Sequence, residues 1–461
     1  MFLTKTINAH NFKKNRTTIL LVLICLLFYI VFAYDFERSD FIKLITLIGT
    51  LFFITNKIIQ INKDCFWLLT GIGIIFRLLF IAILPNLSQD FYRFIWDGRL
   101  ISQGISPYLF TPESYIENTS NSFGVIINQA QELYNGMGSL NGSHFSNYPP
   151  INQLCFSIAS FFTEKSILGS VVVLRVIIIL ADLGILFIGK KLLLKLRLNP
   201  NQIFWYFLNP FIIIELTGNL HFEGVMLFFL IASLYLLHQK KWLGSAFLLG
   251  ISVSVKLIPL LLLPLYYKWF IHNFNKGYFK LAGFYFIVLG IVILTFAPFL
   301  SSQFINNFSE TIFLWFQNFE FNASIYYLIR WLGFKIVGWN MIAIIGKILP
   351  LFIILFILLF SFYRKNKSTQ QLITSLLFGI SIYFLLSTTV HPWYIASPLL
   401  LSVFTRYKFS IIWSLSVMLS YIAYSADGVS ENLWLVAVEY FVVIGFFIWE
   451  IFQYRKRTVI S

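Results

Sequence analysis

Charge is what this sequence has least of. Only 11% of its 461 residues are Asp, Glu, Lys or Arg, and the acids are the scarcer kind, 19 against 34 bases. Soluble domains carry roughly 25% charged residues, so a water-soluble globular fold is excluded. With 58% apolar residues, the chain reads as a polytopic membrane protein. Cysteine is nearly missing too. Cys25, Cys65 and Cys155 are scattered and make neither a disulfide framework nor a metal-binding spacing. The sequence also lacks a Gly-rich phosphate loop, a Walker sequence and an internal repeat. Any reaction must therefore draw its energy from a substrate that is already activated.

What is present is arranged by side. The net charge of +15 suggests nucleic acid until the bases are located. Of the 34, 23 fall in short segments that one topology puts on a single face: Lys5 to Arg16, Lys57 to Lys63, Lys190 to Arg197, Lys240-Lys241, Lys268 to Lys280, Arg364 to Lys367, Arg406 to Lys408 and Arg455 to Arg457. This is the positive-inside bias of a membrane protein, and it excludes a nucleic-acid partner as the cause of the basicity. Most acids, Asp35, Asp90, Asp97, Glu310 and Asp427 among them, fall on the other side.

The apolar runs divide the chain as a single integral membrane domain: three spans over 17–84, an extracytoplasmic loop over 85–166, central spans over 167–299, a second outer loop over 300–336 and C-terminal spans over 337–461. The expected fold is all-α, a bundle of about 12–14 transmembrane segments, both termini in the cytoplasm, with short juxtamembrane helices in its large first outer loop. The run 151–162 is too short to cross and reads as one of these. The pair 242–253 and 256–268 is broken near Lys256 and Pro259, as helices that line a cavity are.

The densest chemistry lies in Ser88-Gln89-Asp90-Phe91-Tyr92-Arg93-Phe94-Ile95-Trp96-Asp97-Gly98-Arg99. As a helix it puts Asp90, Arg93 and Asp97 on one face, with Gly98 and Gly104 expected to interrupt it. The plain alternative is an interfacial helix whose charges face water. Further polar groups converge on the same outer side: Tyr148 before Pro149-Pro150, Asn209-Pro210, Glu215, Asn219, His221 and Glu223, Lys256 at the break, and His391-Pro392-Trp393-Tyr394. Ionisable residues near membrane depth mark functional sites by default. Each has a structural alternative: His391 as an interfacial His, Lys256 snorkelling to a headgroup, and Arg175 with Asp182, two turns apart in one span, as a buried pair. A carboxylate at Asp90, kept ionised by Arg93 and Arg99, with cations beyond it, suits transfer chemistry: a base for an acceptor hydroxyl and a clamp for a phosphate leaving group.

These blocks, together with Gly104-Ile105-Ser106-Pro107-Tyr108 and Val255-Lys256-Leu257-Ile258-Pro259, resemble those of GT-C superfamily glycosyltransferases. The likeness is nearest to bacterial polyprenyl-phosphate-mannose-dependent mannosyltransferase-like proteins and covers about residues 67–400. It implies a GT-C-like bundle in the bacterial plasma membrane, moving a hexose from a polyprenyl-phosphate donor to a glycan or glycolipid acceptor on the extracytoplasmic face, with inversion. Asp90 is then the catalytic base and Asp97 the runner-up. Arg93, Arg99, Tyr148, Asn219, His221 and Glu223 are expected at the substrates, and Lys256, His391, Arg175 and Tyr394 at the donor phosphate. Many relatives have two acids where this chain reads Ser88-Gln89-Asp90, so no metal and no other cofactor is expected. The rival classes are a transporter or flippase of a glycolipid, which would show repeated halves, and a lipid-diphosphate-dependent glycan polymerase or ligase.

Overall fold

The computed structural model describes residues 9–117, 126–425 and 428–460. The expectations at Lys5 and Asp427 lie outside the described residues. The protein is an all-α polytopic membrane protein; among the described residues its strands are those of a two-stranded antiparallel hairpin, Tyr424–Ser425 with Gly428–Val429. Among the described residues, seven helices are long and apolar enough to cross a bilayer: Asn15–Tyr34, Phe41–Ile61, Ile167–Lys195, Gly277–Phe299, Ile342–Tyr363, Thr369–Leu386 and Leu433–Tyr454. The pair Pro210–Gly218 with Glu223–His238, bent by 114°, is an eighth if it is counted as one broken span. Shorter apolar helices, Phe66–Leu78, Trp242–Val255, Pro392–Val403 and Phe409–Ala423, fill in between them.

The elements that position the site come early. Helices α1 (Ala9–Tyr34) and α2 (Phe41–Ile61) form the first hairpin, and Asp40 caps α2 by accepting the Lys43 N–H at 3.1 Å. Next, α3 (Phe66–Leu78) leads into α4 (Asp90–Ser102). Gly98 does not interrupt α4, contrary to expectation. A Cβ there would lie 2.3 Å from the Phe156 carbonyl oxygen, so the glycine lets α4 press directly on α7 (Pro150–Thr163). The α4 helix ends instead at Gly104, whose φ of +76° suits a residue without a side chain.

Between α4 and α7 lie α5 (Pro112–Glu117) and α6 (Ala130–Gly142), the short helices expected in the first outer loop. Pro150 starts α7 at its first turn, where a missing N–H costs nothing. The long α8 (Ile167–Lys195) follows. One apolar core runs from Cys25 to Val443, so the outer loop is packed into the bundle and does not hang from it.

Candidate active site

Asp90 opens α4, where the helix N-terminus favours a carboxylate. It is half-buried and accepts a long contact from Asn141 Nδ2 at 3.5 Å. Removal from water pushes its pKa up, and the fields of Lys256 and Arg38 and the Asn141 contact pull it back. The cations that govern Asp90 are thus Lys256 and Arg38, not Arg93 and Arg99 as the sequence suggested.

Those two arginines are spent elsewhere, on holding the loop together. Arg93 Nε pairs with Asp97 at 2.7 Å, and its Nη1 donates to the carbonyls of Asn141 and His144 at 2.7 and 2.8 Å. Arg99 donates to the Asn128 carbonyl and to Gln129 Oε1. Asp97 is fully buried, and its remaining oxygen accepts from Ser146 and from Gln153 at 2.9 Å. Both Asp97 oxygens are thus engaged by side chains of the protein.

A second group of side chains comes from the bent span. Asn209 caps Pro210 by accepting the Phe211 N–H at 3.0 Å. The helix then widens to a π-helix over Ile213–Gly218, a distortion common at functional sites. Buried Glu215 there accepts the Tyr421 hydroxyl at 2.8 Å and lies 3.7 Å from His221. Asn219 uses its whole amide on backbone: Oδ1 accepts the Leu87 N–H at 2.9 Å and Nδ2 donates to the Ile214 carbonyl at 3.0 Å. Glu223 is buried and bound to Lys256, which caps the end of the helix Trp242–Val255 in an extended conformation. That is the break read from the sequence.

The third group is a ring stack. His221 stacks on Trp393 at 3.7 Å, His391 on Trp393 at 4.6 Å, and Phe321 on His391 at 5.3 Å. The backbone before His391 is pinned by the segment around Phe321, which exchanges hydrogen bonds with Thr388 and Val390 at 3.1 and 2.8 Å. Burial pushes the His391 imidazole down to about 3, helped by Lys256 and Arg38, so it is neutral and not the cation that the sequence suggested. Tyr394 stands edge-on to His391, with the Lys256 ammonium 5.7 Å from its ring centroid. Tyr148 and Tyr394 both lie within electrostatic range of Asp90, and Tyr148 packs edge-on against Phe94 at 5.0 Å.

Arg175 does not join this cluster through its charge. Its guanidinium donates to the carbonyls of Thr217, Ile81 and Gly218 at 2.8, 3.0 and 2.9 Å, closing the end of the π-helix. Nor is it the partner of Asp182. Arg77 is, at 2.9 Å with both side chains fully buried, and it also lies 4.0 Å from the Phe207 ring centroid. Arg77 and Arg38 are the residues that sequence reading missed. The signal for Arg77 was present, a lone Arg near the end of an apolar run.

The arrangement therefore holds one half-open carboxylate, Asp90, within electrostatic range of Lys256, amid aromatic rings and buried polar groups. Residues 63–272, which carry most of it, match a family described as alpha-(1->6)-mannopyranosyltransferase, N-terminal domain. Over that stretch the chain is similar to a mannosyltransferase family. The matched stretch holds Asp90, Tyr148, Asn219, His221, Glu223 and Lys256, whereas Arg38, His391, Trp393, Tyr394 and Tyr421 lie outside it. No curated protein matches the chain.

Proposed function

We propose that this mannosyltransferase-like enzyme moves a mannosyl residue from a polyprenyl-phosphate donor to a hydroxyl of a glycan or glycolipid acceptor, with inversion and with Asp90 as general base. The observation that supports this reading is Asp90 itself, the half-open carboxylate at a helix start within electrostatic range of Lys256. The acceptor O–H gives its proton to Asp90 as the oxygen bonds to the anomeric carbon. The bond from that carbon to the phosphate oxygen breaks, and the polyprenyl phosphate leaves with the electron pair. Lys256 meets the growing charge on the phosphate, and the neutral His391 and Tyr394 offer it polar hydrogens. Asn219, Arg93, Asp97, Arg99 and Arg175 hold these groups in place.

In this reading the site faces the extracytoplasmic side of a bacterial plasma membrane. Two helices support that orientation. Glu223–His238 and Thr369–Leu386 each have one end at the site. At their other ends Lys240 binds Asn273, which donates to the Lys367 carbonyl at 2.7 Å, so three basic connections meet on the far side.

The test is purified protein incubated with a panel of polyprenyl-phosphate sugars and a labelled glycan acceptor. Transfer from the mannosyl donor above the glucosyl and galactosyl ones supports the reading. Transfer only from a nucleotide sugar or a lipid diphosphate would overturn it.

A further inference from the structure

Arg38 lies in the connection between α1 and α2, outside the stretch that matches the mannosyltransferase family. Its guanidinium carbon sits 3.3 Å from the centroid of the Tyr424 ring and 6.0 Å from that of Tyr421. A guanidinium stacked by its face keeps its edge, with five N–H donors, for other partners. Here the edge is unused. Arg38 Nε is buried without a hydrogen-bond partner, and among the described residues the side chain forms no ion pair. Arg77 Nη2 and Arg99 Nε are likewise without a partner, but Arg77, Arg93, Arg99 and Arg175 each donate to a carbonyl or carboxylate through other nitrogens, which Arg38 does not. A buried charged donor left open is costly unless something outside the chain fills it.

The surroundings say what would fill it. Arg38 lies within electrostatic range of Asp90, Glu215, His221 and His391, so its free edge belongs to the site built around Lys256. Simple pairing with Asp90 would explain a structural latch, but no contact within 4 Å joins them. Phosphate oxygens match the fork of a guanidinium. We propose that Arg38, laid on Tyr424, is an anion-binding group that grips the donor's phosphate together with Lys256; this rests on the lipid-phosphate reading above.

The experiment measures binding of decaprenyl phosphate, decaprenyl diphosphate and uncharged decaprenol to the full chain in detergent, before and after Arg38→Gln. We expect Arg38→Gln to weaken decaprenyl phosphate by about tenfold or more, as loss of charge-assisted hydrogen bonds does, and to leave decaprenol unchanged. Equal phosphate affinity in both proteins overturns the role of Arg38 and leaves the donor reading standing. If wild-type protein binds only the diphosphate and Arg38→Gln loses it, Arg38 is upheld and the monophosphate reading falls. Binding of neither phosphate by wild-type protein overturns both. Should Arg38→Gln not fold, Tyr424→Leu removes the platform with the charge in place. Weaker phosphate binding then supports the proposal, and unchanged binding overturns it.

Discussion

Asn219 Oδ1 accepts the backbone N–H of Leu87 at 2.9 Å, across 132 residues of sequence. That bond fixes the chain three residues before Asp90 and ties the start of α4 to the π-helix of the bent span. Asn219 is therefore a positioning residue. Asn219→Ala should leave the Leu87 N–H buried without an acceptor, which costs about 1–3 kcal/mol. The expected result is a lower Tm together with a fall in kcat larger than any rise in donor KM. An Asn219→Asp variant keeps the acceptor for Leu87 but sets a carboxylate oxygen against the Ile214 carbonyl, so it should recover only part of the rate.

Asp97 and Asp90 should separate by phenotype. Asp97 shares a buried ion pair with Arg93, and breaking such a pair by removing one partner costs about 3–5 kcal/mol. Asp97→Ala is thus expected to lower the thermal stability of the detergent-solubilised protein strongly. Asp90→Asn should leave it near wild type. Thermal unfolding followed by tryptophan fluorescence reads the difference.

Much of this was legible in the sequence, and what was not has a common cause. The helix from Asp90 and the break at Lys256 are local events, set by residues within a turn or two of each other. The partner of Asp182 was misread because Arg175 is near it in sequence, whereas Arg77 reaches it from 105 residues away. Gly98 was read as a helix breaker because nothing in α4 reveals that α7 crosses there. Arg38 drew no notice because its meaning depends on Tyr424, at the far end of the chain.

The pH dependence follows from two groups. Burial raises the pKa of Asp90, and a general base works only when deprotonated, so activity is lost as pH falls through that raised value. The acid limb of kcat/KM is expected above the ordinary carboxylate range. Lys256 pulls this pKa down, so Lys256→Met should move the limb to still higher pH and weaken donor binding as well. An acid limb unmoved by Lys256→Met would separate the two residues.

His391 is held neutral, its pKa pushed down to about 3, and should contribute no limb between pH 5 and 8. His391→Gln, which keeps an N–H donor, is expected to retain more turnover than His391→Ala at every pH in that range. A profile that loses a limb near pH 6 on either substitution would mean that the imidazole titrates during the reaction.

The central claim is that Asp90 takes the acceptor's proton, and a single-turnover measurement on Asp90→Asn tests it most directly. With polyprenyl-phosphate mannose bound to purified protein, the variant should bind donor as the wild type does and lose about 10²–10⁴-fold in transfer rate, the usual contribution of a positioned base. Near-normal transfer by Asp90→Asn would contradict the account, and loss of transfer in Asp97→Asn alone, in a folded protein, would move the base to Asp97.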